Sequence, residues 1–145
     1  MNVTAMILAA LAGAMLPIQV GINTTLARHG SGAIGAAMVS FAIGTLGLAA
    51  VVLAQGGLPD RAQLLGAPWW AWVGGFLGAF YVAATIWTAP RIGAALLFAL
   101  VVAGQMSMSS TLDHFGALGL PVEPFSLAKL LGVLLIVAGV VLVQR

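Results

Sequence analysis

Five basic and three acidic side chains are all the charge this 145-residue chain carries. None of them falls in the middle of any of five long apolar runs. A bilayer core about 30 Å thick is crossed by about 20 helical residues, and the runs cover residues 3–26, 32–53, 68–87, 92–112 and 126–143. A soluble domain carries about a quarter charged residues; this chain has 6%. So little charge cannot cover a surface in water, so the solvent must be lipid, where helices satisfy their own backbone hydrogen bonds. The expected fold is therefore an all-α integral membrane protein, a single domain over residues 1–145 with no room for a soluble part. No Lys or Arg precedes Arg28, and the first run is longer than the core of a signal peptide, so it reads as a retained span.

The same composition excludes several function classes. There is no cysteine, hence no disulfide or thiolate metal site. The formal charge of +2 comes without a basic cluster, which argues against nucleic acid as a partner. No nucleophile–base set, metal cluster or phosphate loop is present, so neither an enzyme nor a cofactor or metal is expected. Trp69, Trp70 and Trp72 at one end of the third run, and Trp87 at the other, read as interfacial anchors. Ser126 is placed to cap the fifth helix, and "TAPRIG", residues 88–93, reads as a very short turn between the third and fourth spans.

Polar residues inside the runs are the candidates for function. Gln19 and Asn23 are four apart and share a helix face, with Ile18, Val20 and Ile22 facing elsewhere. Pro17 removes the bond to the Gly13 carbonyl and is expected to kink the first helix. Exposed backbone at that depth is tolerated only against protein or a water-filled cavity. Two readings stand side by side: a substrate-facing stripe, or amides that glue helices together for about 0.6–2 kcal/mol each. Tyr81 and, in the fourth run, Gln105, Ser107 and Ser109 are further candidates for substrate contact, with Met106 and Met108 as an adaptable wall. Ser40 and Gly44 on the second run, Gly74 and Gly78 on the third, and Gly132 and Gly139 on the fifth form small-residue faces for close helix or subunit packing. Asp113 ends the fourth run, where a carboxylate opposes the helix dipole. Its partner is His114 or water, or, across an inverted dimer, Arg28 or Arg91.

An odd span number puts Arg61, Lys129 and the N-terminus on one side, and Arg28, Arg91 and Arg145 on the other. The positive-inside rule needs a clear bias. Near parity allows insertion in both orientations, so that two copies pair antiparallel; a fixed orientation set by the one extra charge is the alternative.

Five motifs in order carry a resemblance: "GAMLPIQVGINTTL" (13–26), "SFAIGT" (40–45), "WWAWVGGFLGAFYV" (69–82), "GQMSMSSTLDHFG" (104–116) and "GVLLIVAGV" (132–140). The chain resembles the YdcZ-type family of the drug/metabolite transporter superfamily, related to the small multidrug resistance transporters. The resemblance implies a bacterial inner-membrane protein with five spans. These would form half of a ten-helix inverted-repeat fold, completed by an antiparallel homodimer or by a heterodimer with a paralogous five-span chain. The last motif is similar to the helix that joins subunits in small multidrug resistance proteins. Those proteins use a glutamate in the first span, and this chain has none there, so proton-coupled drug export is not implied. The resulting expectation is a transporter subunit moving a small neutral or zwitterionic metabolite by alternating access. A non-transporting membrane subunit and a passive channel are the rivals.

Overall fold

The structure is a computed structural model and describes residues 2–58 and 60–144. Arg145, which enters the charge count, lies outside the described residues. The described residues form six α-helices: α1 (Val3–Leu26), α2 (Gly32–Ala54), the short α3 (Arg61–Leu65), α4 (Gly74–Ile92), α5 (Ala94–Phe115) and α6 (Leu127–Val143). No strand occurs among the described residues. With about 1.5 Å of rise per residue, the 24 residues of α1 and the 23 of α2 span roughly 35 Å each. Three apolar helical stretches are long enough to cross a membrane: Val3–Ala54, which contains α1 and α2, then Trp69–Ile92 and Ala94–Phe115. Most of their large apolar side chains are exposed, among them Ile34, Phe76, Phe80 and Leu100, an arrangement that hydrocarbon tolerates and water does not.

Side chains cap the N-terminal ends of α1 and α6. Asn2 Oδ1 accepts from the Ala5 amide at 3.2 Å at the start of α1, and Ser126 Oγ accepts from the Lys129 amide at 3.2 Å at the start of α6. Between α1 and α2 the chain reverses over Ala27–Ser31, where His29 and Gly30 leave helical geometry and Gly30 takes φ +106°. Carbonyls freed at the end of α1 are met there: Ser31 Oγ donates to Leu26 at 3.0 Å and His29 Nδ1 to Thr25 at 2.8 Å.

The contacts group the chain into two units, residues 1–90 and 91–145. In the first, Ala36 and Ala37 of α2 and Val82 and Ile86 of α4 make the buried core, with Leu26, Ala27, Ala33, Tyr81 and Ala83 packed around it. Small residues set the approach of α2 to α4, since a Cβ added at Gly78 would lie 3.3 Å from Phe41 Cζ. At Gly44, Gly74, Gly132 and Gly139 an added Cβ would meet nothing within 4 Å. The second unit is the α5–α6 pair and its connector. Lys129 and Glu123 form an ion pair at 2.9 Å, and the Lys129 ammonium holds the Glu123 carboxyl below its usual range.

The expected turn over residues 88–93 is overturned. Helix α4 runs on through Pro90 to Ile92, and the break is confined to Gly93 at φ +80°. Proline is tolerated inside membrane helices because neighbouring groups take up the freed carbonyl, so only a residue in the left-handed region ends this helix. The same tolerance applies in α1, whose backbone stays helical through Pro17.

Enlarging Gly78 should force α2 and α4 apart. Gly78→Leu is expected to lower stability by about 1–3 kcal/mol through overpacking, read as an earlier unfolding midpoint in detergent. Gly74→Leu, one helical turn away in open space, should leave that midpoint in place.

Candidate substrate cleft between the first two helices

Residues 15, 18, 19, 22, 23 and 26 follow the i, i+3, i+4, i+7 spacing of one broad helix face. Met15, Ile18, Gln19, Ile22, Asn23 and Leu26 accordingly line one wall of a cleft of about 390 Å³. Ser40 and Ile43 of α2 line the other. That volume falls in the range of small-molecule sites, which are mainly apolar with a few placed polar groups. The expectation that Ile18 and Ile22 face away from Gln19 and Asn23 is overturned. A cleft between two helices takes in a stripe broader than the single i, i+4 line, so both isoleucines share it. Val20 does face elsewhere and is buried.

The two amides have different surroundings. Asn23 is only 4% exposed, and its Nδ2 donates to Ser40 Oγ at 3.2 Å, tying α1 to α2. This bond leaves the Asn23 carbonyl oxygen and the Ser40 proton available for other partners. Gln19 is half-buried and lines both this cleft and a second one of about 220 Å³ formed with Ser40, Phe41, Gly44, Thr45 and Leu48. Gln19 and Ser40 are therefore the polar seam between two adjoining apolar hollows. Helix α1 brings Gln19 and Asn23 to one face through its regular spacing, and the reversal at Ala27–Ser31 brings Ser40 opposite them. Sequence reasoning placed Ser40 among the packing residues and did not single out Thr45. The signal available was the hydroxyl of Ser40 within an otherwise Gly/Ala face.

The remaining candidates lie elsewhere. Tyr81 packs against the core of the first unit rather than in the 390 Å³ cleft, and its hydroxyl, like Thr24 Oγ1, is buried with no hydrogen-bond partner. Thr85 is buried and donates to the carbonyl of Val82 at 2.9 Å. Gln105, Ser107 and Ser109 belong to the second unit and are exposed, and the Ser107 hydroxyl is taken by the Ala103 carbonyl at 2.8 Å. Ser110 of the same helix is buried. Asp113 is half-buried at the end of α5, where its backbone carbonyl accepts from the amides of Glu123 and Gly116 at 2.8 and 3.2 Å. Among the described residues no cluster of three or more His, Cys, Asp or Glu could hold a metal ion.

Residues 4–142 match the family described as "Putative inner membrane exporter, YdcZ". The chain belongs to this family. It is 27% identical over 135 residues to the inner membrane protein YdcZ of Escherichia coli (strain K12), covering 92% of this chain and 90% of that one. No solved structure matches. Membership places the chain in the inner membrane and in a family concerned with transport rather than catalysis.

The Asn23–Ser40 bond can be isolated by a double-mutant cycle. Asn23→Leu and Ser40→Ala should each lower stability in detergent, and the double variant should lose less than their sum. The difference should be the roughly 0.6–2 kcal/mol of an interhelical hydrogen bond in a membrane protein. Strict additivity would place the two groups out of contact.

Proposed function

We propose that the chain is a five-span half-transporter, with α1, α2, the Trp69–Ile92 stretch, α5 and α6 as its spans. Two such chains, or this one and a paralogue, pair antiparallel into a ten-helix inverted repeat. They move a small neutral or zwitterionic metabolite by alternating access, outward if the family description holds for this chain. The observation that carries this reading is the cleft lined by α1 and α2. Its apolar walls carry one seam of amide and hydroxyl groups, with Gln19 shared between two hollows and no charge in either lining. Charged groups within spans mark ion and proton pathways, and uncharged amides suit a ligand without net charge.

In this reading Gln19 contacts the substrate, while Asn23 and Ser40 form the wall it moves along. The packing alternative has specific support for Asn23, whose amide is already bonded to Ser40. Gln105, Ser107 and Ser109 are proposed as further polar contacts. In the assembled pair, Asp113 is proposed to meet an arginine of the other subunit, Arg91 or Arg28. Gly132 and Gly139 lie on one face of α6 and leave room for a second copy of that helix. Near parity of basic residues across the membrane supports the antiparallel pairing.

A thermal-shift screen of metabolites on the purified protein supplies the probe, because a ligand that binds only the folded form raises its stability. Counterflow of that ligand in liposomes is then measured. Gln19→Leu should fold and dimerise as the parent does and lose most transport. A ligand left without its partner forfeits about 1–3 kcal/mol, roughly 5- to 150-fold in affinity. Leu8→Ala on an exposed apolar stretch of α1 serves as control. Undiminished counterflow by a well-folded Gln19→Leu, Asn23→Leu double variant would remove the site.

Orientation is checked separately. Reporters fused at the C-terminus should register on both sides of the membrane, and two lysines added within residues 55–67 should drive the population to one side and lower activity. A C-terminus found on one side only would leave a paralogue as the partner.

A further inference from the structure

The connector between α5 and α6, residues 116–126, exposes large apolar side chains on a loop whose polar groups bond to one another. A loop in water keeps apolar side chains inside and spends its polar groups on solvent. Here Phe115, Leu118 and Val122 are 72%, 64% and 67% exposed, and Phe125 is 50% exposed. The polar groups pair with one another, although Glu123 itself stays exposed. The Asp113 carbonyl accepts from the amides of Gly116 and Glu123, and the Leu120 amide donates to Ala117 at 3.1 Å. His114 Nδ1 accepts from the Phe125 amide at 3.1 Å. Lys129 neutralises Glu123 and also donates to its backbone carbonyl at 3.4 Å. Pro121 and Pro124 have no N–H to satisfy.

The shape is fixed rather than loose. Gly116 takes φ +58°, and a Cβ there would lie 2.5 Å from Val122 Cγ2, so the start of the connector closes directly on Val122. The rings of Phe115 and Phe125 both pack on His114, with centroids 4.8 Å away. Leu118 is the only non-glycine among the described residues with positive φ, at +58°. Such a position favours Gly or Asn. An exposed leucine held there, against its backbone preference, points to use of its side chain.

We propose that this connector is a preformed wedge that seats Phe115, Leu118, Val122 and Phe125 in the headgroup–acyl boundary of the bilayer. The bilayer is the occupant because the wedge continues the apolar exteriors of α5 and α6, on which Leu100, Val102, Leu127 and Leu131 are exposed. A helix that crosses the membrane delivers its end to that boundary. Anchoring there relies on buried apolar area, and the pairing of Glu123 with Lys129 leaves the wedge without an unpaired carboxylate to desolvate at that ion pair. The side chains facing this region include Asp113 and His114 from the end of α5 and Glu123 and Lys129 from the connector and α6.

The absence of cysteine makes the test direct. Single cysteines are introduced in the full chain as Leu118→Cys, Val122→Cys and, in the polar loop after α2, Gln55→Cys. Each is labelled with a nitrobenzoxadiazole dye and reconstituted in phosphatidylcholine–phosphatidylglycerol vesicles. Emission at 118 and 122 should be blue-shifted from that at 55. It should be quenched several-fold more by lipid spin-labelled near the headgroup than by aqueous iodide, with the reverse at 55. Iodide quenching at 118 and 122 equal to that at 55 would overturn the proposal. Protection from both quenchers would overturn it too, by showing protein, a second copy included, over the loop. Because Leu118→Cys alters a strained position, Val122→Cys decides the outcome if the former does not fold by circular dichroism.

Discussion

A carboxamide surrounded by hydrocarbon has no water to bond, so its hydrogen bonds must be found within the protein or in a ligand. The Asn23–Ser40 contact is the first solution, and the fold of the first unit is arranged around it. It fixes how α2 lies along α1, which in turn sets the cleft whose walls those helices provide. The reversal at Ala27–Ser31, closed by Ser31 and His29 on the carbonyls of α1, holds the two helices in that register. Gln19, one helical turn before Asn23, is the amide whose hydrogen-bonding capacity faces a hollow rather than another helix. The difference between the two amides is one of surroundings and not of chemistry.

That difference explains what could be read from the sequence and what could not. Helix positions in α1 and α2 were legible because run length against bilayer thickness is a one-dimensional quantity. The Ser126 cap was legible because capping is local. The continuation of α4 through Pro90 was not, since proline punctuates helices in water but not among packed neighbours, and Gly93 carried the stop signal instead. The partner of Asn23 was illegible for a different reason. Its choice among Ser40, Thr45 and other hydroxyls depends on the register of two helices, set by the geometry of a five-residue reversal. The periodicity that correctly paired Gln19 with Asn23 also led to Ile18 and Ile22 being turned away, because a single i, i+4 line understates the width of a face that lines a cleft.

Two solvents act on the same chain. Along most of α1, α2, α5 and α6 the apolar side chains point outward, and the small interior of the first unit sets Ala36 and Ala37 against Val82 and Ile86. Small side chains bring backbones close, and packing contact takes over the role that the hydrophobic effect plays in water. The α5–α6 connector continues this exposure of apolar side chains past the end of the helices, with amides, carbonyls and an ion pair bonded to one another and phenylalanine, leucine and valine exposed beside them.

The strength of the helix tie also bears on how such a site could work. A transporter that alternates between two states needs contacts that fix each state and yet open thermally. A bond of about 0.6–2 kcal/mol biases an equilibrium by roughly 3- to 30-fold, enough to define one arrangement of α1 on α2 and small enough to be exchanged. A buried ion pair would be a harder latch, since separating its partners leaves an uncompensated charge at a cost of several kcal/mol. An uncharged seam of Gln19, Asn23 and Ser40 offers each of its groups a replacement of equal kind, amide for amide or hydroxyl for hydroxyl. On the proposed function, a ligand carrying such groups would accept from the Asn23 Nδ2 and donate to the Ser40 Oγ as the helices part, so that the bond lost between helices is regained with the ligand and the barrier between states falls only when the site is filled.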